Sequence, residues 1–270
     1  MPTVKPRTYD PVKVRDALTG QLDAIAAAVR ALDDDRLTLP TRLGEWRVRE
    51  LVAHLGMVAS WVPLHLHDPL PPQAPITPLY WASQTRTAAA AINSTAVELV
   101  AEQFAGDAAQ VSGELDRQIG ELWKALDSDA GREPGRIIPM RFGPMPLADF
   151  LVTRLVETVV HADDLAAALD IDAFPHDKFA LASTARLLAD AFAVQVPGGA
   201  VELRIPPYAV VQAVEGPRHT RGTPPSVVET DPLTWIRLAT GRLAWSDALD
   251  TVLTASGERS DLSGYLPVLG

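Results

Sequence analysis

Apolar residues recur at steps of three and four over residues 10–33 (Val14, Leu18, Leu22, Ile25, Val29 and Leu32). That spacing predicts one buried face of an amphipathic helix. Asp10-Pro11 marks its start, with a capping carboxylate followed by a proline where the missing N–H does no harm. Pro40 and Gly44 interrupt the chain, and a second helix is expected from Arg47 to about Leu66. The next stretch, HDPLPPQAPITPLYW, has prolines at 69, 71, 72, 75 and 78. Such density fits neither a helix nor a central strand, and predicts a stiff loop. An alanine-rich helix follows over Leu79–Phe104, then one over Ala108–Leu126 with Val111, Leu115, Ile119 and Leu122 at helical steps. GREPGRIIPMRFGPMP reads as irregular, and Leu147–Leu169 as the last long helix. Long helices joined by loops predict an antiparallel bundle.

Beyond residue 172 the pattern shortens. One more helix covers Phe179–Val194 and closes at Pro197-Gly198-Gly199. Val201, Leu203 and Ile205 then alternate with Glu202 and Arg204, the period of a strand. Tyr208–Val214, Ser226–Thr230 and Thr251–Ala255 read as further strands, with brief helices at Leu233–Leu238 and Trp245–Leu249. The expected fold is mainly α: a helical bundle over residues 1–172 and a small α+β unit over 173–270.

Composition narrows the function. The chain has 270 residues, 47% hydrophobic and 21% charged, which supplies a globular core. The net charge is −10; residues 1–170 carry 16 basic and 23 acidic side chains, and residues 171–270 carry 8 and 11. Neither part has a basic stripe to meet phosphates, so nucleic acid and anionic membrane surfaces are excluded as expected partners. No apolar run is long enough for a membrane span, and MPTVKPRTYDP lacks a signal-peptide core, which makes the cytoplasm the expected location. With no cysteine, disulfides, iron–sulfur clusters, thiolate metal sites and a protein-borne thiol nucleophile are all excluded.

Metal ligands must then come from six histidines and the carboxylates. In the last long helix, Glu157 and His161 are four residues apart and share a face. At about 100° per residue, Arg154, Glu157, His161 and Asp164 form one stripe, flanked by Leu147, Leu151, Leu155 and Val159. A solvated, salt-bridged helix face has the same pattern. His54 lies at the edge of the apolar arc of its helix, where a histidine is more often a hydrogen-bonded core residue. Facing Glu157 and His161 across a bundle, it completes a His₂Glu set, a combination known from catalytic zinc sites with a fourth position open.

The remaining histidines carry less. His65 and His67 read as part of a solvated, proline-rich loop, and His176 as helping to start the next helix. His219, with Arg218 and Arg221, marks a surface turn or a small anion loop. A G-x-S-x-G elbow and Gly-rich phosphate loops are absent.

LPTRLGEWRVRELVAHLG, with Trp46 eight residues before His54, resembles the first metal-ligand segment of the mycothiol-dependent maleylpyruvate isomerase family, among the DinB-like helical bundles. PLADFLVTRLVETVVHADDLAAAL resembles the second, with Glu157, His161 and the pair Asp164-Leu165. The resemblance covers about residues 10–172. ETDPLTWIRLATGRLAW and LTASGERSDLSGYLPVL resemble bacterial sterol-carrier-like domains. The resemblance implies a divalent metal, zinc in the first instance, on His54, Glu157 and His161, and mycothiol as cosubstrate. It also implies a basic residue of the second unit at the substrate; Arg204, Arg218, Arg221, Arg237 and Arg242 are available there, and the sequence singles out none.

The lack of cysteine agrees with a thiol that arrives as a cosubstrate. A coordinated thiol loses its proton, and the thiolate is the nucleophile. Attack on an activated double bond, rotation and expulsion of the thiol give cis–trans isomerisation, whereas retention of the adduct gives S-transfer. Arg154 and Asp164 are the candidates to orient the ligands, and each fits a surface ion-pair partner equally well. The alternative is a sterol-carrier-like protein that binds a lipid or small ligand and has a non-catalytic metal site. A third reading is metal-assisted hydrolysis.

Overall fold

Asp10 caps the first helix, α1 (Pro11–Arg30), in a computed structural model of the chain, its carboxylate accepting from the amides of Val12 and Lys13. The structure describes residues 7–133, 135–216 and 225–269. The chain divides into two units, one of Tyr9–Pro78 with Thr87–Ala180, the other of Leu79–Arg86 and Leu181–Gly270 with the N-terminal residues through Thr8.

In the first unit α1 is followed by α2 (Asp34–Leu37) and α3 (Val48–His65), then most of α4 (Pro78–Glu102), whose Leu79–Arg86 belong to the other unit, α5 (Ala108–Asp127) and α6 (Asp129–Arg132). Two short strands, β1 (Ile137–Ile138) and β2 (Met145–Pro146), lead into α7 (Leu147–Leu169). Helix α1 packs on α5 and α7, and α3 packs on the same two. The four enclose Leu18, Leu22, Ile25, Leu51, Leu55, Leu115 and Leu155, all essentially inaccessible to solvent. Each such side chain contributes about 1.5–3 kcal/mol of burial. Gly56 lets α3 approach α5 closely, because a Cβ there would run into the side-chain amide of Gln118 and the ring of Phe104.

The proline-rich segment has no regular secondary structure over residues 67–77, as its composition predicts, whereas its last residues, from Pro78, already belong to α4. Several features depart from expectation, among them the single turn α6, which takes in Gly131 and Arg132 of the stretch expected to be irregular. Helix α2 is a single turn started by the Asp33 cap, too short to carry a period. Within the stretch expected to be irregular, β1 and β2 pair antiparallel, Ile137 opposite Pro146 and Ile138 opposite Met145, and two residues cannot display an alternation. Ahead of α8 (Lys178–Gln195), Asp177 rather than His176 caps the chain: its Oδ1 accepts from the amides of Phe179 and Ala180. His176 instead places Nδ1 3.1 Å from the Gln21 amide.

The second unit holds most of α8, then β3 (Val201–Ile205), β4 (Ala209–Ala213), β5 (Val227–Thr230), α9 (Pro232–Ala239), α10 (Trp245–Ala248) and β6 (Leu253–Ser256). The sheet order is β4-β3-β5-β6, with β3 and β5 parallel and the outer pairs antiparallel. Val201, Leu203 and Ile205 face the core as the alternation requires. Phe192 of α8 meets Trp235 of α9 edge to face, with centroids 5.7 Å apart. Among the described residues no helix is long and apolar enough to cross a membrane. His219, Arg218 and Arg221 lie outside the described residues.

Candidate metal centre

The start of α3 is fixed by Glu50, whose carboxylate accepts from the backbone N–H of Arg47 at 2.8 Å. His54 follows one turn later and is 3% exposed. Facing it, α7 carries Glu157 and His161 one turn apart. His54 Nε2 and His161 Nε2 approach the same oxygen, Glu157 Oε2, at 3.4 and 3.3 Å. The imidazoles meet edge to face, with centroids 4.5 Å apart and planes at 80°. One donor atom from each of the three residues lies within 4.8 Å of the others. The three side chains joined by sequence reasoning are therefore brought together from two helices.

Asp164, buried in α7, accepts from His161 Nδ1 at 2.9 Å. That bond holds a proton on Nδ1, so that Nε2, on the Glu157 side, is the nitrogen that would give its lone pair to a cation. Arg154 makes no such contact. Its Nε and Nη2 donate to Thr153 Oγ1 at 3.2 Å, and its guanidinium lies 4.5 Å above the Phe150 ring. It acts on Glu157 and His54 through its field and not by a hydrogen bond.

The electrostatics follow from burial and pairing. Burial pushes the His54 imidazole below its ordinary pKa, and the nearby His161 adds to this. For His161, burial acts in the same direction but is outweighed by the hydrogen bonds to Asp164 and Glu157, so its pKa is raised. Burial would raise the Glu157 carboxyl, yet the hydrogen bonds from His161 and His54 and the field of Arg154 hold it well below the usual range. The site thus combines a carboxylate with one imidazole kept neutral by desolvation.

The donor set fits a divalent ion. Ligand atoms about 2.0–2.2 Å from a tetrahedral centre are separated by about 3.3–3.6 Å, and both nitrogen–oxygen separations here fall in that interval. A mostly buried carboxylate and two imidazoles, without a fourth protein donor among the described residues, are also the composition of open sites.

Other polar residues lie elsewhere. His65 pairs with Asp68 at 2.7 Å on the surface, and His67 is exposed. Arg204 is bound by Glu202 at 2.7 Å, and Arg242 donates to its own turn at Thr240. Sequence reasoning missed Arg42, Asp163 and Asn93. Arg42 donates to both Asp163 and Asp164. Asn93 accepts from the indole of Trp46, whose ring packs 5.3 Å from that of His54. Adjacent aspartates beside His161 in an apolar helix hinted at a buried counter-charge, but nothing local points to Arg42, more than a hundred positions away.

Residues 18–166 match the family model described as mycothiol maleylpyruvate isomerase N-terminal domain, more than half of the chain. The chain belongs to this family. Residues 177–268 match the model for bacterial SCP orthologs, so the mycothiol maleylpyruvate isomerase bundle is followed here by a sterol-carrier-type domain. Among solved structures, the chain is similar to a mycothiol-dependent maleylpyruvate isomerase, with a TM-score of 0.60, 16% identity, and 93% of this chain and 95% of that one covered. A histidine-to-alanine mutant of a mycothiol-dependent maleylpyruvate isomerase gives a TM-score of 0.60 at 17% identity, with the same coverage. At this identity the likeness is one of fold. No curated protein sequence matches the chain.

Proposed function

We propose that this member of the mycothiol maleylpyruvate isomerase family is a metal-dependent enzyme that uses mycothiol as cosubstrate, with zinc or another divalent ion held by His54, Glu157 and His161. The observation that carries the reading is the convergence of three donors from α3 and α7 within 4.8 Å, with no further His, Asp or Glu among the described residues joining them. When bound, the ion would lower the pKa of the cosubstrate thiol, otherwise near 8.5, so that it reacts as the thiolate at neutral pH. The protein's own part is to hold the donors. Desolvation keeps His54 in its neutral form, Asp164 orients His161, and Glu157 offsets positive charge. The guanidinium of Arg154, bonded only to a neutral hydroxyl, is placed to attract a carboxylate on the electrophile. Addition to a double bond followed by thiol expulsion makes the enzyme an isomerase; retention of the adduct makes it an S-transferase. In this reading residues 1–172 hold the metal and 173–270 form the sterol-carrier-like domain.

The test is metal content together with mycothiol consumption over a panel of electrophiles, with and without carboxylates. Wild type should hold about one equivalent of divalent ion, His54→Ala and His161→Ala should lose it, and turnover should require thiol. Arg154→Gln should raise KM selectively for carboxylate-bearing electrophiles. A wild-type protein that stays metal-free after zinc add-back ends the proposal. Binding of fatty acyl probes without thiol-dependent turnover would favour a carrier, the reading supported by the match over residues 177–268. Turnover unaffected by thiol would indicate hydrolysis.

A further inference from the structure

Two neighbouring carboxylates, Asp163 and Asp164, are buried near the end of α7, with side chains 5% and 0% exposed. Like charges so placed repel unless a cation is held against both. Arg42 is that cation: its Nε donates to Asp164 Oδ1 at 2.6 Å and its Nη2 to Asp163 Oδ2. The planar fork of a guanidinium spans both acids, which a lysine ammonium on a flexible stem does not reproduce. Asp164 uses its other oxygen, Oδ2, for His161 Nδ1. A continuous chain of charge-assisted hydrogen bonds therefore runs from Arg42 through Asp164 to the imidazole facing Glu157 and His54.

Arg42 is itself held. Its loop, between α2 and α3, is closed by Thr41, whose N–H and Oγ1 both donate to Trp46 O at 2.9 and 2.7 Å. Thr41 Oγ1 also accepts from the Leu43 amide, and Gly44 takes the left-handed conformation needed to turn the chain (φ 64°). At the far end of the same loop the Trp46 ring packs against His54. One braced loop thus reaches both imidazoles, His54 by ring contact and His161 through Asp164.

We infer that Arg42 is a positioning residue for the metal centre: by fixing the Asp164 carboxylate it fixes the ring of His161 and so sets how tightly a divalent ion is held. The inference rests on the metal-binding reading above. It differs from a purely structural role for Arg42, in which the guanidinium only pins the loop to α7 and either aspartate serves equally well.

The experiment measures the dissociation constant for Co²⁺ by chelator competition, with the visible absorption of the Co²⁺ complex, on full-length protein whose folding is checked by thermal unfolding. Arg42→Lys is expected to bind about 10-fold more weakly with a shifted absorption band, and Asp164→Asn at least as weakly. In the Asp164→Asn background, Arg42→Lys should cause no further loss. Asp163→Asn should stay within about 2-fold of wild type, well short of the loss that an orienting partner causes. Where Arg42→Lys does not fold, Arg42→Gln combined with Asp163→Asn removes one charge of each sign, and should still bind about 10-fold more weakly than Asp163→Asn alone. Arg42 variants that bind like wild type, or that lose affinity equally with or without Asp164, overturn the inference while leaving the metal reading intact. A wild-type protein that binds no Co²⁺ overturns both.

Discussion

His161 illustrates how much a single residue depends on its neighbours. Burial alone would keep its imidazole neutral, and only the carboxylates of Asp164 and Glu157 reverse that direction. The i, i+4 spacing with Glu157 was legible because a helix places such residues on one face by geometry alone. The support from Arg42 was not, since its partners are set by a loop conformation that no periodicity encodes. Asp190, in the other unit, offers a test of the same balance. Burial raises its pKa despite the hydrogen bond from Arg7 at 2.7 Å. A carboxyl raised on folding stabilises the native state fully below its unfolded pKa, and this contribution is lost as the pH rises through the folded value. Asp190→Asn should therefore gain stability relative to wild type between about pH 4 and about pH 7. Urea midpoints at the two pH values check this, and a gap moving the other way would mean that the Arg7 pair dominates.

At the scale of elements, the centre depends on how closely α3 lies against its neighbours. Gly56 is two residues from His54 and faces Gln118 and Phe104, both buried on the α5 side of α3. Gln118 is held in place by Gln103 and Glu114, at 2.8 and 2.7 Å, so its side chain does not move aside freely. Gly56→Leu should overpack this contact and cost about 1–3 kcal/mol, outweighing the about 1 kcal/mol that leaving glycine returns to a helix. Denaturant unfolding measures the net loss, and a variant as stable as wild type would show that α5 yields. The long helices and β3 were readable from apolar spacing because each buries one face over several turns or alternations. The pair β1–β2 and the single-turn α2 were not, since elements this short are held by tertiary contact and a cap, which leave no periodic trace.

For the whole molecule, binding at the centre should be visible as stability. An ion that binds only the folded protein, present at about 100 times its dissociation constant, adds about 2.7 kcal/mol. Zinc should therefore raise the midpoint of thermal unfolding of wild type by several degrees, chelator should reverse the rise, and His54→Ala should unfold at one temperature with or without zinc. A zinc-induced rise retained by His54→Ala would place the binding elsewhere. The sequence by itself determined the helix-rich first part, the strands that follow it, the family and the two segments with histidines and a glutamate, because period and residue type act locally along the chain. Tertiary structure alone decided that His54 and His161 point at one oxygen, that Arg154 acts on them without a hydrogen bond, and that Arg42 anchors Asp164. Those outcomes depend on how helices and loops far apart in sequence pack against each other, where side-chain direction is set by contacts that no local pattern records.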